Sequence, residues 1–498
     1  MSDIGFATVG LRRLMGATAA AQEARQFSIE AQPLRGALSQ LAQQSGLNMA
    51  VPATRTAGVT STAVNGRMTP QQALAALSAG TGLSLWIVDG TITLTPPKTG
   101  NVGADGSVVL DPITIRTGGA ATEGSNSYAA GAASIARGTE SLREVPQAVT
   151  VVTRKTLEDQ NLTSMSEVMA KTPVIVANRE ATSAPTYYSR GFKINNYQVD
   201  ALGTSYDSSF RPDFDMAIYD RVEVLRGAEG LFSGTGEPGG SVNLARKRPT
   251  GRVQSSIALS YGSWQNHRIE ADIGGPLTRY GALCGRLAGA WQDRDFFYSP
   301  GDEKRKVLYG ILEYDLTPST TVSAGISYQN QRGNKWFLGL PTYDDYGLVD
   351  LGRDVALTPD WTFADHAISE VFAGVEHQFG SDWTLRFNAM RQKYDSETLQ
   401  MTLDGPVDRE TGRFGEGMVG SLYEKTGNHS KAVDLSLNGR FHIWGRDHKL
   451  LVGTAWRDSN AHQLDYVIDQ ADFPDDITIW NFHELSFVRP AVLGPRTH

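Results

Sequence analysis

The strongest constraint on this chain is a period of two. From residue 249 onward, apolar and polar residues alternate in run after run. Ile257, Leu259 and Tyr261 alternate with Ser256, Ala258 and Ser260, and Ile269, Ala271 and Ile273 with Arg268, Glu270 and Asp272. Val322, Ala324, Ile326 and Tyr328 alternate with Ser323, Gly325 and Ser327; the same pattern holds around Trp383, Leu385 and Phe387 and around Val433, Leu435 and Leu437. Successive side chains on a strand point to opposite faces, so each run carries one apolar and one polar or charged face. The pattern predicts about nine antiparallel strands of roughly ten residues, with aromatic residues at their ends, the signature of a β-barrel set in an outer membrane. Short connections (275–281, 317–320, 380–382, 443–447) alternate with long ones (292–305, 329–367, 393–431, 458 onward), as the two sides of such a barrel require. A soluble β-sandwich is the alternative, but it has no need of so many exposed apolar faces. No apolar run reaches the length of about 18 residues that a membrane-spanning helix needs.

The first half is organised differently. Residues 1–25, with Arg12-Arg13 before Leu14-Met15-Gly16-Ala17, read as a degraded signal peptide. Residues 26–97 read as a small α+β module of two β-α-β units. Pro33 opens one helix, with an apolar face of Leu34, Ala37, Leu38 and Leu41, and Gly46 stops it. Val59 to Val64 reads as a strand, Thr69-Pro70-Gln71-Gln72 as a capping box, and Asp89-Gly90 as a hairpin turn. Residues 98–140 are a Gly-, Ser- and Thr-rich linker holding one β-prone island, Leu110-Asp111-Pro112-Ile113-Thr114-Ile115, suited to strand addition on a partner. Residues 141–248 form a compact α+β domain, and 249–498 the strand region. Gly234-Thr235-Gly236-Glu237-Pro238-Gly239 matches G-x-G-x-x-G, yet turn and strand follow it where a dinucleotide site needs a helix. With 46 Lys+Arg against 54 Asp+Glu the chain is acidic, which argues against a nucleic-acid partner. The single cysteine, Cys284, excludes an intrachain disulfide or a zinc finger.

Several segments then carry a resemblance. Val145-Pro146-Gln147-Ala148-Val149-Thr150-Val151-Val152, Arg190-Gly191-Phe192, Arg221-Val222-Glu223-Val224-Leu225-Arg226-Gly227 and Gly239-Gly240-Ser241-Val242-Asn243-Leu244 with Lys247-Arg248-Pro249 resemble the plug of TonB-dependent outer-membrane receptors. Residues 26–97 resemble the short N-terminal domain shared by secretins and TonB-dependent transducers, and Leu110 to Ile115 resembles the TonB box. Tyr197-Gln198-Val199-Asp200 and Gly275-Pro276-Leu277 are similar to the ferric-siderophore branch. Ala228 departs from the pattern, standing where the family usually has proline. The resemblance implies a mainly β fold: a transmembrane antiparallel β-barrel, of 22 strands if complete, with an α+β plug and a small signalling domain.

It also implies a transporter in the cell outer membrane, not an enzyme, with its N-terminal domain in the periplasm. TonB, driven by the ExbB/ExbD complex, would pair with Leu110 to Ile115. A ferric siderophore would be the cargo, with iron held by the siderophore and neither a cofactor nor a metal site in the protein. An inner-membrane anti-sigma regulator would read the signalling domain, and lipid would surround the barrel. Haem, cobalamin or a glycan is the alternative cargo; a soluble dinucleotide-binding enzyme is the disfavoured alternative of another class. Tyr187, Tyr188, Arg190, Phe296, Phe297, Tyr298, Trp336 and Tyr343 are the candidate ligand contacts, because aromatic stacking and a fixed cation suit a bulky chelate. The expected terminal strand and aromatic residue are missing after Gly494, so the chain reads as the N-terminal portion of a receptor or a decayed gene.

Overall fold

A computed structural model describes residues 7–10 and most of 25–495; residues 52–55, 57–58, 80, 82–84, 89–90, 94–100, 103–107, 110–119, 138–140, 179–184, 205–212, 229, 231–236, 280, 335–339, 404–405, 415–418, 469–473 and 475 fall outside the description. Nine long strands run in sequence from Gln254–Gly262 to Arg446–Ile468, each antiparallel to the one before. Ala7–Gly10 pairs with the first of them and Val492–Pro495 with the last. This is one continuous meander, which sets aside the sandwich.

The two faces separate as the alternation requires. Ile257, Leu259, Tyr261, Leu312, Ile326, Val371 and Val452 are exposed on one face, while Arg268, Arg286, Glu303, Arg305, Glu370 and Asp434 are buried on the other. A single unpaired charge buried from water is costly, so the second face needs partners, and the domain packed against it supplies them. Aromatic residues gather at both borders: Tyr261 and Trp264 on the side of the long connections, Phe379, Phe441 and Trp444 on the other.

One expectation needs correction. The later strands are far longer than ten residues, with Trp383–Leu403 spanning 21 and Val419–Ile443 spanning 25. At about 3.4 Å per residue the longest approaches 85 Å, several times the apolar band of about 25 Å. Along Trp383–Leu403 the outward positions change from Trp383, Leu385, Phe387 and Ala389 to Arg391, Lys393, Asp395 and Glu397. The change marks where the apolar band stops, so the upper halves of these strands stand clear of it.

The domain against the sheet's charged face is built on five strands in the order Leu202–Thr204, Asn196–Val199, Ser241–Arg246, Tyr219–Arg226 and Ala148–Val152. Asn196–Val199 and Ser241–Arg246 are the parallel pair. Two short helices, Arg154–Asp159 and Met165–Lys171, cover it; Thr153 caps the first, and a Ser164–Glu167 capping box opens the second. Val222, Val224, Val242 and Leu244 join Met165, Val168, Met169 and Tyr219 in its core.

The N-terminal module is a separate compact unit. Its first strand, Arg25–Ile29, pairs antiparallel with Val64–Met68, whereas Asn48–Ala50 runs parallel to Thr91–Thr93, itself paired with Trp86–Val88. Helices Leu34–Ser45 and Pro70–Ser78 fill the space with Leu34, Leu38, Leu41, Leu74 and Leu77. The strand expected at 59–64 lies instead at Val64–Met68, because Val59 and Ser61 are tied to the entry of the first helix (Leu34 N–H to Val59 O, 2.8 Å; Ser61 N–H to Gln32 O, 2.9 Å). Gly46 ends that helix in the left-handed conformation at φ 70°, as a C-terminal glycine should.

Candidate functional site

In Arg221-Val222-Glu223-Val224, the valines enter the core and the charges share the opposite face. Glu223, fully buried, accepts from Arg221 Nε (2.6 Å), from the backbone N–H groups of Ser134 (2.9 Å) and Ile135 (2.7 Å), and from Asn243 Nδ2 (2.9 Å). The adjacent Asp220 accepts from the backbone N–H groups of Thr122 (2.9 Å) and Glu123 (2.7 Å). The two carboxylates thus hold the described segment following the linker island against the middle of the sheet. Burial alone would lower the basicity of Arg221, but Glu223 and Asp220 overcome it and hold the guanidinium charged.

From there a chain of charges crosses to the strand region. Glu123 meets Arg286 (2.6 Å), Arg286 meets Asp272 (2.7 Å), and Asp272 meets Lys247 (2.7 Å). Further along, Arg246 bridges Asp200 and Glu370, each at 2.6 Å, and lies 4.1 Å from the ring of Phe372. Nearer the long connections Asp215 takes both terminal nitrogens of Arg268 at 2.7 Å, and Asp213 pairs with Arg305 at 3.3 Å. The inner domain is therefore seated by paired, desolvated charges. Such contacts fix geometry more than they add stability, since desolvation offsets much of the attraction.

Burial pushes the Asp215 carboxyl up, yet Arg268 and the Ala217 N–H more than reverse it and hold it below the usual carboxylate range. The stability Asp215 contributes is complete above the unfolded value of about 3.9 and is lost as pH falls through the depressed folded value. Acid titration of the detergent-solubilised chain should show the domain loosening below about pH 4. Asp215→Asn should flatten that arm of the titration, monitored by proteolysis of residues 141–248.

The candidate ligand residues fall in different places. Tyr187 is buried in the core with its hydroxyl 3.5 Å from Ser166 Oγ, so it is packed inside the domain rather than displayed for a ligand. Tyr188 is half-buried on the same strand, Thr186–Ser189. Arg190 is exposed at a two-residue hairpin in which Arg190 (φ 53°) and Gly191 (φ 84°) both have positive φ, the requirement of a type I′ turn. Phe296 stacks on Tyr298 at 5.4 Å, while Phe297 meets Tyr298 at 5.2 Å and Trp264 at 6.3 Å. That cluster stands at the aromatic border of the sheet beside Tyr261. Tyr343 packs on a cluster made by three long connections (Val349, Leu357, Val407, Ile477, Phe482), with the Arg409 guanidinium 4.2 Å from its ring. Trp336 and the island Leu110 to Ile115 lie outside the described residues. Sequence reasoning missed the Glu223 network; its signal was the charge alternation in Arg221-Val222-Glu223, which on a core strand demands partners.

Residues 231–236 of the glycine-rich segment lie outside the described residues, and Gly239 and Gly240 pack against backbone. A Cβ on Gly239 would lie 2.2 Å from the Lys193 carbonyl oxygen, and strand Ser241–Arg246 follows directly. Among the described residues no cluster of His, Cys, Asp and Glu could hold a metal ion, and no helix is long and apolar enough to cross a membrane.

The family model for the TonB-dependent Receptor Plug Domain matches residues 141–241, and that for the Secretin and TonB N terminus short domain matches 48–97. A ferric-pyoverdine receptor, PbuA, of a Pseudomonas species is 36% identical over 447 residues, covering 88% of this chain and 53% of that protein. The ferripyoverdine receptor of Pseudomonas aeruginosa is 35% identical over 443 residues, covering 86% and 53%. Among solved structures, P. aeruginosa FpvA bound to heterologous pyoverdines superimposes with a TM-score of 0.76 at 30% identity, over 95% of this chain and 61% of that one. The chain spans about half the length of the curated relatives it matches.

Proposed function

Because the chain belongs to the TonB-dependent receptors, we propose that it serves a receptor that binds a ferric siderophore at the outer membrane, imports it, and signals occupancy through its N-terminal domain. The observation that carries this reading is the joint one: a plug of the matched family, seated by buried ion pairs against a meander whose other face is apolar. The kinship to ferric-pyoverdine receptors supports a pyoverdine-type chelate as cargo. Iron is then carried by the siderophore, and no resident cofactor is needed.

In this reading residues 26–97 are the periplasmic signalling domain, 98–140 the tether, 141–248 the plug and 249–498 barrel wall. TonB, energised by ExbB/ExbD, adds a strand to Leu110 to Ile115 and pulls. The first contacts to load are those C-terminal to the box: Thr122 and Glu123 on Asp220, then Ser134 and Ile135 on Glu223. An anti-sigma regulator is the partner of the signalling domain. The exposed Arg190 is the best placed of the named plug residues to meet an anionic chelate.

The test is binding and uptake of iron-loaded pyoverdine by iron-starved cells producing the chain in its native gene context. Saturable binding is expected, with Ile113→Pro abolishing uptake and leaving binding intact, because proline removes the N–H an added strand needs. Arg190→Ala should weaken binding roughly tenfold, the loss of one charge-assisted contact. Binding of haem, cobalamin or a glycan in place of the chelate would overturn the cargo.

A further inference from the structure

Three non-glycine residues with left-handed backbone meet at one edge of the plug sheet. Asp200 (φ 51°) and Ala201 (φ 63°) form the two-residue turn between the paired strands Asn196–Val199 and Leu202–Thr204. Arg137 (φ 29°) reaches that turn from the segment anchored on Glu223, two residues beyond Ile135. A two-residue turn of this kind needs positive φ at both positions. Aspartate visits that region with local hydrogen bonds, whereas the Cβ of alanine meets the following carbonyl oxygen. Glycine takes the same conformation freely, so Ala201 holds strain that a glycine would lack.

Such strain persists only where the surroundings over-determine the backbone, and it gathers at switch regions. The Asp200 N–H donates to the Leu244 carbonyl (3.1 Å), and its carboxylate accepts from Arg246 Nη1 (2.6 Å). The Ala201 N–H donates to Asn243 Oδ1 (2.8 Å). These three contacts come from the plug's own strand Ser241–Arg246. The fourth does not. The Ala201 carbonyl accepts from Arg137 Nη2 (3.2 Å), while Arg137 Nη1 pairs with Asp434 of the strand region. A pull arriving from the linker side reaches the segment carrying Arg137, so this fourth contact is the removable one. A guanidinium-to-carbonyl hydrogen bond is charge-assisted and similar in size to the strain of one left-handed residue. Its loss therefore tips the turn without unfolding the sheet. The turn holds the sheet's edge strand, Leu202–Thr204, whose Thr204 carbonyl accepts from Arg457 of the strand region (3.5 Å).

We propose that the turn Asp200–Ala201 is a strained switch held shut by Arg137. Withdrawal of residues 134–137 lets Ala201 leave the left-handed region and frees the edge strand Leu202–Thr204. A pull on the linker thus acts on one edge of the plug through a single contact, ahead of any loss of its core. The switch is a property of the folded chain, and its use in import rests on the receptor reading above.

Amide hydrogen exchange of the full chain, purified in detergent, reads the switch without cargo or TonB. Arg137→Met should speed exchange across residues 196–204 about tenfold, the loss of one charge-assisted contact, with residues 219–226 unchanged. Ala201→Gly alone should slow exchange at 196–204 about fivefold relative to wild type, the strain removed less the cost of ordering a glycine. Arg137→Met with Ala201→Gly should return to within about twofold of wild type, the product of the two effects. A contact that only supported the hairpin would not be rescued by a more flexible residue. A double variant as fast as Arg137→Met, or faster exchange in Ala201→Gly alone, would overturn the switch. In iron-starved cells Ala201→Gly should slow uptake of iron-loaded pyoverdine about fivefold at unchanged binding, and unchanged uptake would overturn its part in import. Failure of the wild-type chain to bind iron-loaded pyoverdine would instead overturn the receptor reading and leave the exchange result standing.

Discussion

Glu223→Ala is expected to destabilise the plug by about 3–5 kcal/mol, because it breaks a buried ion pair by removing one partner. Arg221 keeps Asp220 and the Ser134 hydroxyl, Asn243 Nδ2 keeps only that hydroxyl, and the N–H groups of Ser134 and Ile135 lose their acceptor. Each buried donor left without a partner costs about 1–3 kcal/mol on its own. The loss should appear as faster proteolysis and faster amide exchange across residues 120–248, with the strand region still protected. Residues 120–136 should respond most, since the carboxylate is their anchor. Adding Arg221→Met to an apolar replacement, Glu223→Leu, should cost clearly less than the sum of the two single changes, because removing both charges leaves no stranded ion. Equal protection in Glu223→Ala and wild type would show that the network does not hold the segment. If the proposed function holds, the same variant should release the plug under less pull from TonB, so uptake would be altered before binding is.

What the sequence discloses, and what it hides, follows from how far apart the interacting residues lie. The strand meander was legible because its signal is local: Ile269, Ala271 and Ile273 declare a face without reference to any partner. Strand length was not. Above Ala389 the outward positions become Arg391, Lys393 and Asp395, so the apolar rhythm stops while the ladder continues. The Glu223 network stayed hidden because its partners lie 20 and about 88 residues away in sequence, and no local pattern names them. The aromatic candidates fall in three different settings. Tyr187 fills a core, Phe297 meets Trp264 at the sheet's border, and Tyr343 braces a loop cluster. One residue type serves all three settings as well as a ligand, so only its surroundings distinguish them. In the N-terminal module both helices were legible from their caps and apolar stripes, but the strand at Val64–Met68 slipped by several residues, since the β-branched residues Val59, Thr60 and Thr62 lie before it while Val64 is the only one inside it.

Gly240→Ala should be nearly as damaging as the loss of Glu223, and the cause separates the plug from a nucleotide site. Gly240 has φ 95°, and a Cβ there would lie 2.0 Å from the Leu225 carbonyl oxygen and 3.0 Å from the Arg226 Cα. That oxygen belongs to the strand Tyr219–Arg226, hydrogen-bonded on both sides by Ser241–Arg246 and Ala148–Val152, so it has nowhere to retreat. Backbone strain of about 1–2 kcal/mol adds to the overlap, and a total cost of roughly 3–5 kcal/mol is expected, the range of severe core disruption. Gly227→Ala isolates the strain: its φ is 97°, but nothing lies within 4 Å of the added carbon, so it should cost only about 1–2 kcal/mol. Urea titration of the two variants, followed by plug proteolysis, should show that gap. If Gly234 to Gly239 instead served a dinucleotide, the wild-type chain would bind NAD or FAD. The close approach of two backbones requires the opposite: a large difference in stability between the variants, and no dinucleotide bound by wild type or by either of them.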